Sequence, residues 1–160
     1  MTRTKERILL AAARLLAKNP GVSVSDIAME AEVGRATLHR YFSKRDDLLN
    51  ELVLFALGKT NNIVEEALAK ELDAKQRLEV IIQKSIPMGD LFHFLMTDTT
   101  VYTNDEAKAA YQQQLDSMLL VVETAKKEGA ISENVSSGWV VYALDALLYS
   151  AWQGINDGYI

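Results

Sequence analysis

Residues 23–42, SVSDIAMEAEVGRATLHRYF, contain two helix signals on either side of a short break. Ser23 and Asp26 have the spacing of a capping box, which predicts that a short helix begins at this point. After the break, Leu38 and Phe42 lie four residues apart, as on one face of a second short helix. Two short helices joined by a tight turn form a helix-turn-helix motif.

The two faces of this motif have different compositions. Five apolar residues can close a small core against the preceding helix: Ile27, Ala28, Val33, Leu38 and Phe42. Six residues of the second helix are then left on its exposed side: Arg35, Ala36, Thr37, His39, Arg40 and Tyr41. Such a face suits a DNA major groove, because arginine can read guanine edges and threonine can meet a phosphate or a thymine methyl. The alternative is a surface helical hairpin whose polar face is only solvated.

The rest of the chain also follows helical periodicity, and no alternating strand pattern of useful length occurs. Ser43 with Asp46 repeats the capping signal and predicts a long helix over residues 43–59. Pro87 is expected to break the chain, and Gly129 is expected to cap a helix end. Further helices are predicted over residues 74–86, 89–96, 105–128 and 137–156. The fold class is therefore predicted to be all-α.

The composition is that of a globular chain that can bury a core: 160 residues, 49% of them hydrophobic and 24% charged. With no Cys, the sequence excludes disulfides, thiol nucleophiles and thiolate metal sites. With only two His, a zinc enzyme is also hard to build, and we predict no metal site and no cofactor. The most apolar stretch, Trp139–Trp152, contains Asp145 and is too short to cross a bilayer. We therefore expect a soluble, cytoplasmic protein.

Charge is distributed unevenly along the chain. Residues 1–50 contain nine Lys or Arg and six Asp or Glu, a net charge of +3, whereas residues 51–160 contain eight and sixteen, a net charge of −8. A basic head on an acidic body is typical of a chain in which only the head binds DNA. Chance clustering is the alternative, because a net charge of +3 over fifty residues is weak on its own.

The stretch from Val22 to Leu52, VSVSDIAMEAEVGRATLHRYFSKRDDLLNEL, is very similar to the DNA-binding head of the tetracycline-repressor (TetR) family of bacterial regulators. The resemblance includes the preceding helix and covers about residues 4–56. Glu32 stands where the family usually has Gly, so it must tolerate a helix-end geometry that favours Gly. His39 replaces the more usual Tyr, so the family's base preference does not carry over. The resemblance implies DNA contacts at Ser23, Ser25, Arg35, Ala36, Thr37, His39, Arg40, Tyr41 and Lys44 or Arg45.

The resemblance also implies two domains: a helix-turn-helix DNA-binding domain over residues 1–45 and a helical ligand-binding and dimerisation domain over residues 46–160. The body is rich in aromatic and Met side chains, which line pockets for apolar or aromatic molecules. The candidate ligand-binding residues are Met88, Phe92, His93, Met96, Tyr102, Tyr111, Gln114, Met118, Tyr142 and Tyr149. The alternative is that most of them are core. We expect His93, which lies between two Phe, to be a hydrogen-bonded core histidine.

The segment Trp139–Trp152, WVVYALDALLYSAW, is apolar on nearly every side of a helix. Such a helix needs burial all round, and in a chain of this size that burial requires a partner subunit. We therefore expect a homodimer through this helix. The resemblance agrees, because dimers of the family pair their last two long helices into a four-helix bundle. No full final helix follows the region 154–158, so either the dimer is built differently or the chain is shortened.

These features predict a DNA-binding transcriptional regulator: a repressor that a small hydrophobic ligand releases from a pseudo-palindromic operator. No Lys or Arg lies between Lys84 and Lys108, so we expect the ligand to be uncharged or cationic. One alternative is a DNA-binding regulator with no small-molecule ligand. An all-α enzyme is a more remote alternative, because none of the common catalytic motifs is present, and we predict no catalytic residues.

Overall fold

The computed structural model describes residues 1–160 as nine α-helices without a β-strand, which confirms the predicted all-α class. The helices are α1 Arg3–Lys18, α2 Val24–Glu30, α3 Arg35–Tyr41, α4 Arg45–Leu68, α5 Ala74–Ser85, α6 Gly89–Thr97, α7 Thr100–Thr103, α8 Asp105–Lys127 and α9 Ser137–Asn156. A short 3-10 turn at Ile86–Met88 joins α5 to α6. None of the helices combines the length and the apolar composition that a membrane-spanning helix needs.

The first three helices form a head around a small apolar core. Leu9 of α1, Ile27 of α2 and Leu38 of α3 are fully buried. The capping box predicted at Ser23 and Asp26 is present: the Ser23 hydroxyl accepts a hydrogen bond from the Asp26 N–H, and the Asp26 carboxylate accepts one from the Ser23 N–H. This box fixes where α2 begins and therefore which of its side chains point inward.

The turn between α2 and α3 bends at Glu32, whose φ is 50°. This confirms the expectation that the position has a geometry that favours Gly. Arg7 of α1 holds the turn in place, because its guanidinium donates to the Ala31 carbonyl at 2.7 Å and to the Glu32 carboxylate at 3.1 Å. These bonds offset part of the backbone strain and tie the turn to α1.

The capping box predicted at Ser43 and Asp46 is wrong by one residue. Lys44 is the extended N-cap residue of α4, and its N–H donates to the Asp47 carboxylate at 3.0 Å. The sequence has two adjacent aspartates, so the spacing of a capping box fits either register. From this start α4 runs to Leu68, well past the predicted end at residue 59.

The remaining helices lie close to their predicted ranges, and Pro87 and Gly129 act as expected. Pro87 lies in the 3-10 turn that follows α5, and Gly129 has a φ of 76° just after α8. The short helix α7 was not predicted, because a single turn of TVYT has poor helix formers and no periodicity to detect. Asp98 fixes this turn locally, since its carboxylate accepts a hydrogen bond from the Thr100 N–H at 2.8 Å.

Two apolar clusters hold the helices together. The larger cluster contains most of the buried residues of α1–α3 and of the first half of α4, together with Leu91 and Phe94 of α6, Val101 of α7 and Ala107 of α8. It therefore crosses the predicted domain boundary at residue 45: α6 packs directly on α1 of the head, and α7 packs on α4. The smaller cluster joins the second half of α4 with α5, α8 and α9 around Val121.

The last helix, α9, buries only one side within the single chain. Val141 and Trp152 are its buried residues, whereas Trp139, Tyr142 and Leu147 are 66%, 59% and 66% exposed. An exposed apolar face on a long helix is typical of a surface that contacts another protein subunit. The single chain therefore does not provide the all-round burial predicted for this helix.

Candidate nucleic-acid interface and ligand pocket

The position of α3 on the head decides which of its side chains face solvent. Leu38 anchors α3 in the core of the head and turns the opposite face outward. That face carries Arg35, Ala36, His39 and Arg40 as exposed residues, with Thr37 and Tyr41 half-buried at its edges. The helix spans 7 residues, which is about 10 Å at the usual rise per residue. It is short enough to lie within a major groove about 12 Å wide.

Several basic side chains of the head are neutralised within the protein. The ion pairs are Lys5–Glu51 at 2.7 Å, Arg7–Glu32 at 3.1 Å and Arg14–Glu30 at 2.6 Å. By contrast, Arg35, Arg40 and Lys44 have no acidic partner within ion-pair distance. Arg3 and Lys18, at the two ends of α1, are also unpaired. Most of the unpaired positive charge of the head therefore lies on α3 and directly after it.

Tyr41 connects α3 to the beginning of α1. The Thr2 hydroxyl donates a hydrogen bond to the Tyr41 phenol oxygen at 3.2 Å, and the Arg40 guanidinium lies over the Tyr41 ring, 5.6 Å from its centroid. The hydrogen bond from Thr2 lowers the pKa of Tyr41 below its ordinary value. These contacts hold two of the residues predicted to meet DNA in a defined orientation at the end of α3.

Of the pair Lys44 and Arg45, only Lys44 has a free charged group. The Arg45 guanidinium donates to the carbonyl of Val22 at 2.5 Å and to the carbonyl of Pro20 at 2.7 Å. Arg45 therefore ties the start of α4 to the loop before α2. This contact positions the helix-turn-helix motif, whereas the amine of Lys44 is exposed to solvent.

The two serines predicted to meet DNA lie at the beginning of α2. The Ser23 hydroxyl, besides capping the helix, donates to the Asp26 carboxylate at 2.6 Å, and Ser25 is half-buried. Hydrogen bonds from Ser23 lower the pKa of Asp26, and the charge of Arg35 adds a smaller effect in the same direction. The charge of Arg35, at the start of α3, therefore acts on the first turn of α2.

A cavity of about 120 Å³ lies in the body between α6, α7, α8 and α9. Seven of the ten predicted ligand-binding residues line it: Phe92, Met96, Tyr102, Tyr111, Gln114, Met118 and Tyr142. The sequence did not predict the five others: Leu95, Val101, Leu115, Val141 and Asp145. Four of these five are aliphatic residues, which no sequence pattern separates from ordinary core. The fifth, Asp145, interrupts the most apolar segment of the chain.

A second, smaller cavity of about 20 Å³ lies on the side of α4 and α5. Four side chains line both cavities: Phe92, Gln114, Met118 and Asp145. These four form the partition between the two spaces.

Two titratable groups define the electrostatics of the larger cavity. Burial raises the pKa of Asp145 to about 6. Burial also raises the pKa of Tyr111 to about 12, and the nearby Tyr142 and Asp145 add to this effect. Both shifts have the same meaning: the cavity disfavours negative charge.

Three of the predicted ligand-binding residues, Met88, His93 and Tyr149, lie outside the larger cavity. Met88 packs between the two apolar clusters. The His93 ring lies between Tyr149 and Trp152, with ring centroids 5.1 Å and 4.1 Å away. The expectation of a hydrogen-bonded histidine is wrong, because the buried Nδ1 has no partner. Burial lowers the pKa of His93, and the charge of Asp90 opposes this shift.

Comparison with known proteins agrees with the geometry of the head. Residues 8–52 match the family model described as bacterial regulatory proteins, tetR family. The matched range covers most of α1, all of α2 and α3, and the first part of α4.

Two curated proteins are similar over most of the chain. The HTH-type transcriptional repressor LfrR of Mycolicibacterium smegmatis is 27% identical over 156 residues, which are 98% of this chain and 81% of that protein. The fatty acid metabolism regulator protein of Bacillus subtilis is 27% identical over 147 residues, which are 89% of this chain and 73% of that protein.

Two solved structures are similar in fold. The crystal structure of LfrR from Mycobacterium smegmatis in complex with proflavine matches with a TM-score of 0.80 at 27% identity, covering 98% of this chain and 86% of that chain. The ketosteroid transcriptional regulator KstR2 of Mycobacterium tuberculosis matches with a TM-score of 0.75 at 14% identity, covering 96% of this chain and 83% of that chain.

Proposed function

The chain belongs to the TetR family of bacterial transcriptional regulators, and we propose that it is a DNA-binding repressor which a small ligand releases from its operator. In this proposal residues 1–45 bind DNA, and residues 46–160 bind the ligand and a second subunit. One observation carries the link between the two parts. Leu95 of α6 and Val101 of α7 line the larger cavity and also pack in the larger apolar cluster, which contains the core of the head.

The proposed DNA contact is α3 in the major groove. Its exposed face carries Arg35 and Arg40 without acidic partners, and the small side chain of Ala36 lets the helix approach the bases. In this orientation Arg35 and Arg40 read base edges, whereas Tyr41 and Lys44 bind phosphates. Phosphate contacts of this kind make the affinity fall steeply with salt.

The proposed operator is pseudo-palindromic because the protein is proposed to be a symmetric dimer. The support is the exposed apolar face of α9, with Trp139, Tyr142 and Leu147, and the exposed Leu120 on the neighbouring α8. Two copies that pair through this face are related by a twofold axis, and a twofold protein binds inverted half-sites.

The proposed release of DNA follows from the size of the larger cavity. Its volume is about 120 Å³, whereas ligand pockets typically measure about 300–1,000 Å³. A ligand must therefore push the walls apart. Of these walls, α6 contacts α1 of the head and also α4, the helix that follows the head, and α7 contacts α4. A further link is the hydrogen bond that Asn104 Nδ2 donates to Asn50 Oδ1 at 2.9 Å, between the start of α8 and α4.

The relatives support both halves of the proposal. They are transcriptional regulators and not enzymes, and LfrR is named a repressor. The LfrR crystal structure contains proflavine, a small planar aromatic compound. For the present chain we propose a small apolar ligand, uncharged or cationic, because no lysine or arginine lines the cavity.

Selection from a pool of random duplexes with the purified protein tests the DNA half of the proposal. The enriched sequence should be an inverted repeat that the dimer binds, with an affinity that falls as salt rises. Arg35→Ala should weaken binding and relax the base preference. Lys127→Ala, which removes the same charge from an exposed site at the end of α8, should leave binding unchanged. A monomer that enriches no sequence would refute the proposal.

A thermal-shift screen of small apolar compounds, followed by operator binding with each hit, tests the ligand half. The two binding events should oppose each other by about 1–3 kcal/mol, and the effect should be reciprocal. A compound that stabilises the protein but leaves its operator affinity unchanged would rule out ligand release by that site and leave the DNA-binding half standing.

A further inference from the structure

Asp145 does not help to hold the fold together. It is half-buried on α9 and lines both cavities, yet its carboxylate makes no hydrogen bond and no ion pair within the chain. Burial of a carboxylate without a partner is unfavourable, because the protein does not replace the water that the charge gives up. The fold therefore gains nothing from a carboxylate at this position.

No positive side chain faces Asp145 from any of the surrounding helices. The polar groups that line the same two cavities are uncharged, and they are Thr60 of α4, Ser85 of α5, Tyr102 of α7, Tyr111 and Gln114 of α8, and Tyr142 of α9. Lys84 and Lys108, the lysines that flank α6 and α7 in the sequence, already pair with Glu66 and Asp105. The charge of Asp145 is therefore left for a group from outside the chain.

Aromatic side chains line the same cavity as this carboxylate. Phe92, Tyr102, Tyr111 and Tyr142 line the larger cavity together with Asp145. Ring faces stack on flat ligands and attract cations. A flat, positively charged molecule therefore finds both of the interactions that it needs, whereas an anion is repelled.

We propose that the regulatory ligand is a planar aromatic monocation whose charged nitrogen lies against the Asp145 carboxylate. This inference rests on the proposed function, since it names the class of ligand for the same cavity. Asp145 is the residue that determines specificity, and the aromatic rings bind the flat body of the ligand. One carboxylate balances one positive charge, so a second charge on the ligand would be buried without a partner and would weaken binding.

Three planar tricyclic probes of different charge test the proposal: proflavine, which is a cation at neutral pH, acridone, which is uncharged, and acridine-9-carboxylate, which is an anion. Their fluorescence reports binding to the full chain without DNA, because acridines also insert into duplexes. The wild-type protein should bind proflavine about 10- to 100-fold more tightly than acridone, the range expected for a hydrogen bond to a charged group. It should bind the carboxylate more weakly than acridone.

Three variants test whether Asp145 causes the preference for the cation. Asp145→Asn keeps the shape of the side chain and removes its charge, so proflavine should lose most of its advantage while acridone binds as before. Asp145→Glu restores the charge and should restore the preference, which separates loss of charge from loss of folding. Glu133→Gln removes the same charge from an exposed position in the loop between α8 and α9 and should change neither affinity.

Three results would overturn the inference. If acridone binds the wild type as tightly as proflavine, or if Asp145→Asn weakens both probes equally, the cavity does not select for charge, although it can still be the ligand site of the proposed function. If none of the probes binds, the assignment to planar aromatic cations is wrong. The proposed function fails on a different result, namely a ligand that occupies the cavity without changing the operator affinity.

Discussion

Replacing Asp145 by Asn should stabilise the ligand-free protein. Burial raises the pKa of this carboxyl from 3.8 to about 6, and each pKa unit corresponds to about 1.4 kcal/mol. The ionised side chain therefore costs the folded state up to about 3 kcal/mol at neutral pH. Water in the cavity screens part of this cost, and the Asn amide is itself polar, so we expect a gain of about 1–2 kcal/mol.

The gain should depend on pH in a defined direction. The pKa of Asp145 is higher in the folded state than in the unfolded state, so between about pH 4 and pH 6 the folded chain keeps a proton that the unfolded chain has lost. The penalty is absent below this range, grows across it and is complete above it. Among the other residues that line the cavity, Tyr111 has a pKa that burial raises to about 12, far above this range.

Urea unfolding of the wild type and Asp145→Asn at about pH 4 and about pH 7.5 measures this effect. Protein concentration must be equal in all samples, because the stability of a dimer depends on it. Glu133→Gln, in the exposed loop, serves as the control for the loss of one negative charge. An Asp145→Asn protein that is no more stable than the wild type at the higher pH, or whose advantage grows toward the lower pH, would refute the reasoning.

Five further substitutions test other parts of the molecule. Arg40→Ala should weaken operator binding by about 1–3 kcal/mol and relax the base preference. Lys44→Ala should weaken binding to all DNA sequences alike and make the affinity less dependent on salt. Binding titrations against matched and mismatched duplexes distinguish the two. Glu32→Gly should raise the free energy of unfolding by up to about 1 kcal/mol, measured in urea, because Gly adopts a positive φ without strain. Leu147→Arg should give a monomer in sedimentation experiments, because it places a charge on the apolar face of α9. Asn50→Ala breaks the hydrogen bond between α4 and the start of α8. The affinity for the operator alone and for the ligand alone should stay near the wild-type values, and the effect of the ligand on operator binding should become smaller. An unchanged effect would show that this bond does not couple the two sites.

The head is the part of the fold that the sequence predicts best, because its signals are local. The capping box of Ser23 and Asp26 lies within four residues and appears in the structure as predicted. Glu32, which stands where the family usually has Gly, also marks the position of the positive φ correctly. The predicted start of α4 is one residue too early, because Asp46 and Asp47 each have a residue three positions before them that can serve as the N-cap. The choice between the two depends on how the chain leaves α3.

The cavity could be predicted only in part, because its lining depends on how distant helices pack. Clustered aromatic and Met residues point to the correct segments, yet the same pattern included His93 and Tyr149, which face one another between α6 and α9. Val101 has no sequence feature that separates it from core. Asp145 looks like an interruption of an apolar segment, and its lack of a partner follows from the side chains that α6, α7 and α8 bring around it.

In the proposed function, a cavity in the body controls the DNA-binding head. The most direct test is the operator affinity of the wild type and of Asp145→Asn, each titrated with proflavine. Insertion of the dye into the duplex affects both proteins alike, so the difference between the two titrations reports the site on the protein. The wild type should lose operator affinity by about 5- to 150-fold at dye concentrations where Asp145→Asn keeps most of its own. Equal responses of the two proteins would mean that the dye acts through the duplex or through contacts other than Asp145, which would contradict control of the head through this carboxylate.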